Sequence, residues 1–324
     1  MRAMRKAVDG RATLMMVALC LTWSLQQVAV KASMADASPI LQLALRSGVA
    51  ALLVWFYARF VARDQWLRRP IRRAAVTTGS LFALEFLLVA EGLNWTSASH
   101  MVVFLYTAPM FAALGLHLWL PDERLSRLQW SGLGLAFIGI SIAFLVPTLG
   151  TGGLARTPAW MLGDLLGLCG GAAWGLTTVA VRTSRLSEAP ATQTLFYQLA
   201  AAFVILLPAA AVFGEMRFHS TPMVWISLGF QTFIVCFASF LIWFAMLRRY
   251  LAARLGVLAF MTPVFGVGWG VVLLHEQLTP AFVVGAVFVF AGLIVVNGHS
   301  WLRTLLPHRK AKEERPSEPA SSAP

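Results

Sequence analysis

Apolar residues fill ten stretches of the chain, at about 13–32, 40–61, 74–93, 98–120, 128–147, 160–181, 191–213, 222–246, 252–274 and 281–300. Short connectors rich in turn-forming and basic residues separate them. A helix crossing the hydrocarbon core needs roughly 20 predominantly apolar residues, and helices satisfy their own backbone in lipid. The pattern therefore predicts an all-α integral membrane protein with ten transmembrane helices. The first stretch could be the apolar core of a signal peptide, with "SMADA" as a cleavage site. A retained helix fits better, because the stretch holds Trp23, Gln26 and Gln27 and opens an internal repeat.

The repeat is visible residue by residue. "WSLQQVAVKASMADASPILQ" from Trp23 parallels "WGLTTVAVRTSRLSEAPATQ" from Trp174, pairing Lys31 with Arg182, Pro39 with Pro190 and Gln42 with Gln193. "YTAPMF" parallels "FMTPVF", pairing Pro109 with Pro263. "ERLSRLQWSGLGLAFIGI" parallels "EQLTPAFVVGAVFVFAGL", pairing Glu123 with Glu276, Gly132 with Gly285 and Gly139 with Gly292. Residues 13–147 and 160–300 thus form two five-helix units, with a cytoplasmic N-terminus over 1–12 and a disordered, Pro/Ser-rich cytoplasmic tail over 301–324. Five is odd, so the halves are expected to lie in opposite orientations. Inverted repeats are a transporter architecture, with the site at their interface near the midplane.

Charge fixes the orientation. With the N-terminus cytoplasmic, 22 of the 26 Lys/Arg residues fall on the cytoplasmic side, and Lys31, Arg156 and Arg217 on the other. Arg46 falls within a span. Basic loops mark the cytoplasmic face. Composition agrees with the pattern: 58% hydrophobic, 12% charged, mean hydropathy +0.72. The net charge of +12 would suit nucleic acid, but the basic residues cap apolar runs and form no patch on a soluble module. Cys20, Cys169 and Cys236 all lie in apolar runs and read as packing residues, outside any disulfide or metal framework.

Chemistry-bearing residues stand out against this background. "GSLFALEFLLVAEGLNW" carries Glu85 near mid-membrane and Glu91 about 9 Å further out, roughly 120° round the helix. A carboxylate at the depth of Glu85 is costly. It could pair with Arg46, bind a proton or a cationic substrate group, or pack in protonated form. Its repeat counterpart is Ser239. Arg46 is too deep to snorkel and needs a carbonyl or carboxylate partner or an anionic substrate group; Tyr197 takes its place in the second half. Trp23, Trp174, Tyr106 and Tyr197 could wall an amphipathic cavity, or anchor helices at the interfaces. Pro109 and Pro263 are expected to kink equivalent helices and to free carbonyls such as those of Tyr106 or Phe260 toward a cavity. Gly163, Gly167, Gly171 and Gly175 share one helix face and read mainly as a packing stripe; Gly132 and Gly139 are expected to pack on Gly285 and Gly292. The six histidines are scattered, and no metal, nucleophile-elbow or phosphate-loop motif occurs, so no cofactor is indicated.

Trp23, Lys31, Pro39 and Arg46, followed by "LYTAPMFAALGLHLWLPDERLSRLQWSGLGLAFIGI", resemble the EamA family of the drug/metabolite transporter superfamily, over about residues 13–300 in both copies. The resemblance implies ten helices around a central cavity, cytoplasmic termini, alternating access, and export of amino acids or other small metabolites, some relatives importing. It also implies that the last helices of the two halves pack together outside the cavity. Glu85 and Glu91 depart from the family pattern. The expected protein is a bacterial inner-membrane secondary transporter of a small organic solute, in contact with the lipid bilayer, with a proton as the coupling ion considered. A monomer and a homodimer fit equally. The rival readings are an uncoupled facilitator or importer and a membrane enzyme acting on a lipid-like substrate.

Overall fold

The computed structural model describes residues 9–67, 71–120, 124–150, 159–250, 255, 258–259 and 261–305. Helix α1 (Gly10–Ser33) begins where the Asp9 carboxylate accepts from Ala12 N at 2.8 Å, an N-cap. That cap starts the helix three residues inside the segment expected as a terminal tail. Helix α2 (Pro39–Phe56) has Pro at its first position, where the missing N–H costs nothing, and runs into a wide π turn at Tyr57–Val61. Helix α3 spans Arg72–Trp95. The fourth apolar run is broken into α4 (Ala98–Leu105) and α5 (Ala108–Trp119). Helices α6 (Arg127–Gly150), α7 (Ala159–Arg182) and α8 (Ala191–Val212) follow. The eighth run is α9 (Pro222–Gly229), a π segment (Phe230–Ser239) and α10 (Phe240–Arg249). Helices α11 (Met261–Leu274) and α12 (Pro280–Leu305) complete the described chain.

No strand occurs among the described residues, and Ala37 and Phe218 form an isolated antiparallel bridge. Among the described residues, seven helical runs are long and apolar enough to cross a bilayer: Gly10–Ser33, Pro39–Val61, Arg72–Trp95, Ala98–Trp119, Ala159–Arg182, Ala191–Val212 and Pro222–Trp243. Met261–Leu274 and Pro280–Val296 are apolar but shorter. One expectation fails at the C-terminus. Helix α12 runs on to Leu305, five residues into the tail read as disordered, because "SWLRTL" lacks a helix breaker before Pro307. Glu123, Phe260 and residues 306–324 lie outside the described residues.

Hydrogen bonds tie the bundle at both ends. At one end Ser38 N and His219 N donate to Arg217 O and Asp36 O, at 3.1 and 2.7 Å, joining the α1–α2 and α8–α9 connections. At the other, Leu67 N donates to Gln193 Oε1 at 2.9 Å, and Gln129 Nε2 donates to Val296 O at 3.0 Å. Helices α6 and α12 pack antiparallel, with Gly132 against Gly292 and Gly139 against Gly285. A Cβ on Gly139 would sit 2.5 Å from Gly285 O, so only hydrogen allows this approach. Along α7, Gly163 faces Thr96, Gly171 faces Phe104 O, and Gly175 faces Ala108 O. The glycine stripe is therefore the bed on which the broken α4–α5 run lies.

Candidate functional site

The break between α4 and α5 falls at Tyr106–Thr107, with Pro109 in the first turn of α5, where it needs no donor. Pro109 thus starts a helix after a break, in place of the mid-helix kink expected there. Pro263 lies near the start of the described part of α11, and Phe260 before it lies outside the described residues. The carbonyls near the first break are already covered. Phe104 O accepts from Thr107 Oγ1 at 2.6 Å, and Phe104 O and Leu105 O lie against Gly171. Phe104 O and Leu105 O thus face α7 rather than a cavity.

Arg46 is 1% exposed, the largest side chain among those fully buried. No acid lies within 4.0 Å of it among the described residues. Neutral acceptors hold the guanidinium instead. Nη1 donates to Gln231 Oε1 at 3.3 Å, and Gln26, with its amide oxygen turned inward, accepts at 3.1 and 3.3 Å. The Phe86 ring lies under the guanidinium carbon at 4.6 Å, a cation–π contact. Gln231 in turn donates to Gln42 Oε1 and Ser227 Oγ, at 3.1 and 2.9 Å, and Ser33 donates to Gln42 Oε1 at 2.9 Å. Arg46 Nε has no partner.

Glu85 is 6% exposed, and its Oε2 is buried with no hydrogen-bond partner. It does not form the direct bridge to Arg46 that was one reading of its role, although each lies in the other's electrostatic field. A basic and an acidic side chain, each with an unused buried atom, are thus held in one region by α2 and α3. Around them, Trp23 Nε1 donates to Ser239 Oγ at 2.8 Å, and Tyr106 stands edge-on to Trp174 at 5.3 Å. Tyr197 turns elsewhere, to Trp66 and Gln193 at the α2–α3 connection. Glu91 is satisfied locally by Asn94 and Trp95, at 3.2 and 3.0 Å.

Sequence reasoning passed over several of these groups. Gln231 sits on the π segment, whose wider turn is common at functional sites, as does Ser239, which the internal repeat pairs with Glu85. Asp164 lies within the glycine stripe, fully buried, accepting from Thr96 Oγ1 and bonded to His100 Nδ1 at 2.8 Å. An acid inside an apolar run was the available signal, and the glycines around it drew attention first. No group of three or more metal-ligating side chains occurs among the described residues.

Comparison with known proteins adds four matches. The model of the EamA-like transporter family matches twice, over residues 10–145 and 161–298. The "Probable amino-acid metabolite efflux pump" of Salmonella typhimurium is 27% identical over 297 residues, covering 89% of this chain and 94% of that protein. Its namesake in Escherichia coli is 25% identical, covering 92% and 97%. A crystal structure at 22% identity aligns with a TM-score of 0.62, over 92% of this chain and 99% of that one, a likeness of fold.

Proposed function

The chain belongs to the EamA-like transporter family, and on that premise we propose that it exports a small organic metabolite, such as an amino acid or drug-like solute, by alternating access across a bacterial inner membrane. Ten spans form two inverted five-helix repeats, residues 13–147 and 160–300, with both termini cytoplasmic. One observation carries this reading: a single family model matches both halves, and the last long helices of the halves, α6 and α12, pack antiparallel. The other helix contacts support the same relation. Exchanging the halves turns the α1–α11 packing into that of α7 on α4 and α5, and the α3–α8 packing into that of the π segment on α2.

In this reading the solute sits near Arg46 and Glu85, between Trp23, Trp174, Tyr106 and Ser239. Arg46 takes an anionic group on the solute, and Glu85 takes a proton or a cationic group. The absence of a direct Arg46–Glu85 bridge supports this, since each keeps an unused atom. Purified protein in proteoliposomes should move members of a radiolabelled solute panel, with metabolites depleted in the medium of deletion cells naming the panel. Turnover of a lipid with no solute flux would replace transport by membrane-enzyme chemistry.

A further inference from the structure

The turn joining α3 to α4, Thr96–Ser97, is held from three other elements. Lys31 of α1 donates through Nζ to Leu93 O and to Thr96 O, capping the C-terminal end of α3. Asp164 of α7 takes the Thr96 hydroxyl and His100. Glu276, from the α11–α12 turn, caps the start of α4: Oε1 accepts from Ala98 N at 2.7 Å, and Oε2 accepts from Ser99 N at 2.9 Å and Ser99 Oγ at 2.5 Å.

These anchors are not equivalent. Lys31 and Asp164 sit in 24-residue helices. Glu276 sits in a turn whose preceding residue, His275, has φ +54. A side chain pays strain in that left-handed region, and it persists only where the surroundings hold it. The three capping bonds supply that hold. Gly270 makes room for the carboxylate, since a Cβ there would lie 2.3 Å from Glu276 Oε2. Water can compete for these bonds, because Glu276 and Lys31 line an open cleft of about 390 Å³ with Trp95, Thr96, Ser97 and Leu274.

We propose that Glu276 is a positioning residue of transport: its cap on α4 latches this end of the bundle shut, and its release lets the strained His275 turn relax and the end open. The proposal rests on the alternating-access reading and adds the element that gates it. Glu276 belongs to the second half of the chain and α4 to the first, so the latch spans the two units that must move apart. The remaining anchors, Lys31 and Asp164, keep the α3–α4 turn folded while Glu276 lets go.

The test uses the whole chain with Cys20→Ser and Cys169→Ser, leaving buried Cys236 as the reporter. A membrane-impermeant maleimide is applied from the side bearing the cleft. Glu276→Gln has one acceptor oxygen where the carboxylate has two, so it cannot keep all three bonds. It should label roughly tenfold faster, a shift of about 1.4 kcal/mol. His275→Gly removes the strain and keeps the cap, so it should label no faster than the parent. A purely structural role would move both variants alike. Equal rates in all monodisperse variants, including no labelling in any, or faster labelling of His275→Gly, overturns the latch. Labelling needs no substrate: a shift in labelling without flux of any solute would sink the transport reading and leave the latch standing.

Discussion

Glu85→Gln separates function from structure at the centre of the protein. The wild-type carboxyl is 6% exposed, with Oε2 buried and unbonded and no cation within 4.0 Å among the described residues. A charge at that depth costs about 2.5–3.5 kcal/mol on insertion scales. Glutamine keeps the shape, removes any such cost with the ionisable group, and Oε2 has no hydrogen bond to lose. The melting temperature in detergent should stay level or rise. Transport should fall steeply, and what remains should lose its dependence on pH, because the titrating group is gone. A stabilising ion pair would give the opposite pattern: lowered stability, partly recovered in Glu85→Gln/Arg46→Gln. The assay is uptake or efflux in proteoliposomes at several pH values, beside a thermal melt of the same preparation. Wild-type transport by Glu85→Gln at every pH would refute the functional role of this carboxyl.

At the α6–α12 contact, Gly139→Val places side-chain atoms where a Cβ alone would lie 2.5 Å from Gly285 O. Overpacking of this kind costs typically 1–3 kcal/mol, and the melt should show a lowered midpoint; an unchanged midpoint would mean the helices part freely. Cysteines at Ser97 and Ser187 should react with impermeant reagent from opposite sides of the membrane, Ser97 from outside; labelling of both from one side would remove the inverted topology. Pro109→Ala restores a donor at the start of α5 but leaves the break covered by Gly171 and Thr107. Expression should be unchanged and transport altered, and normal transport would make the break a packing feature only.

Hydrophobic runs about a bilayer thick, bounded by basic connectors, fix a helical membrane chain before any contact is known, because lipid leaves the backbone few other ways to satisfy itself. Small residues at heptad and four-residue spacing mark faces that can approach closely, as at Gly139 and Gly171. Those properties are local, so a linear reading holds them. Partner choice is not local. Arg46 finds Gln231 185 residues away, Trp23 finds Ser239 216 residues away, and Glu276 reaches Ala98 across 178. In an apolar interior a polar group must find a partner, but any facing helix can supply one, and spacing along the chain does not say which. Tertiary packing alone gave Arg46 two glutamines and an aromatic face in place of Glu85, sent Tyr197 to the far connection, and put Glu276 at the foot of α4.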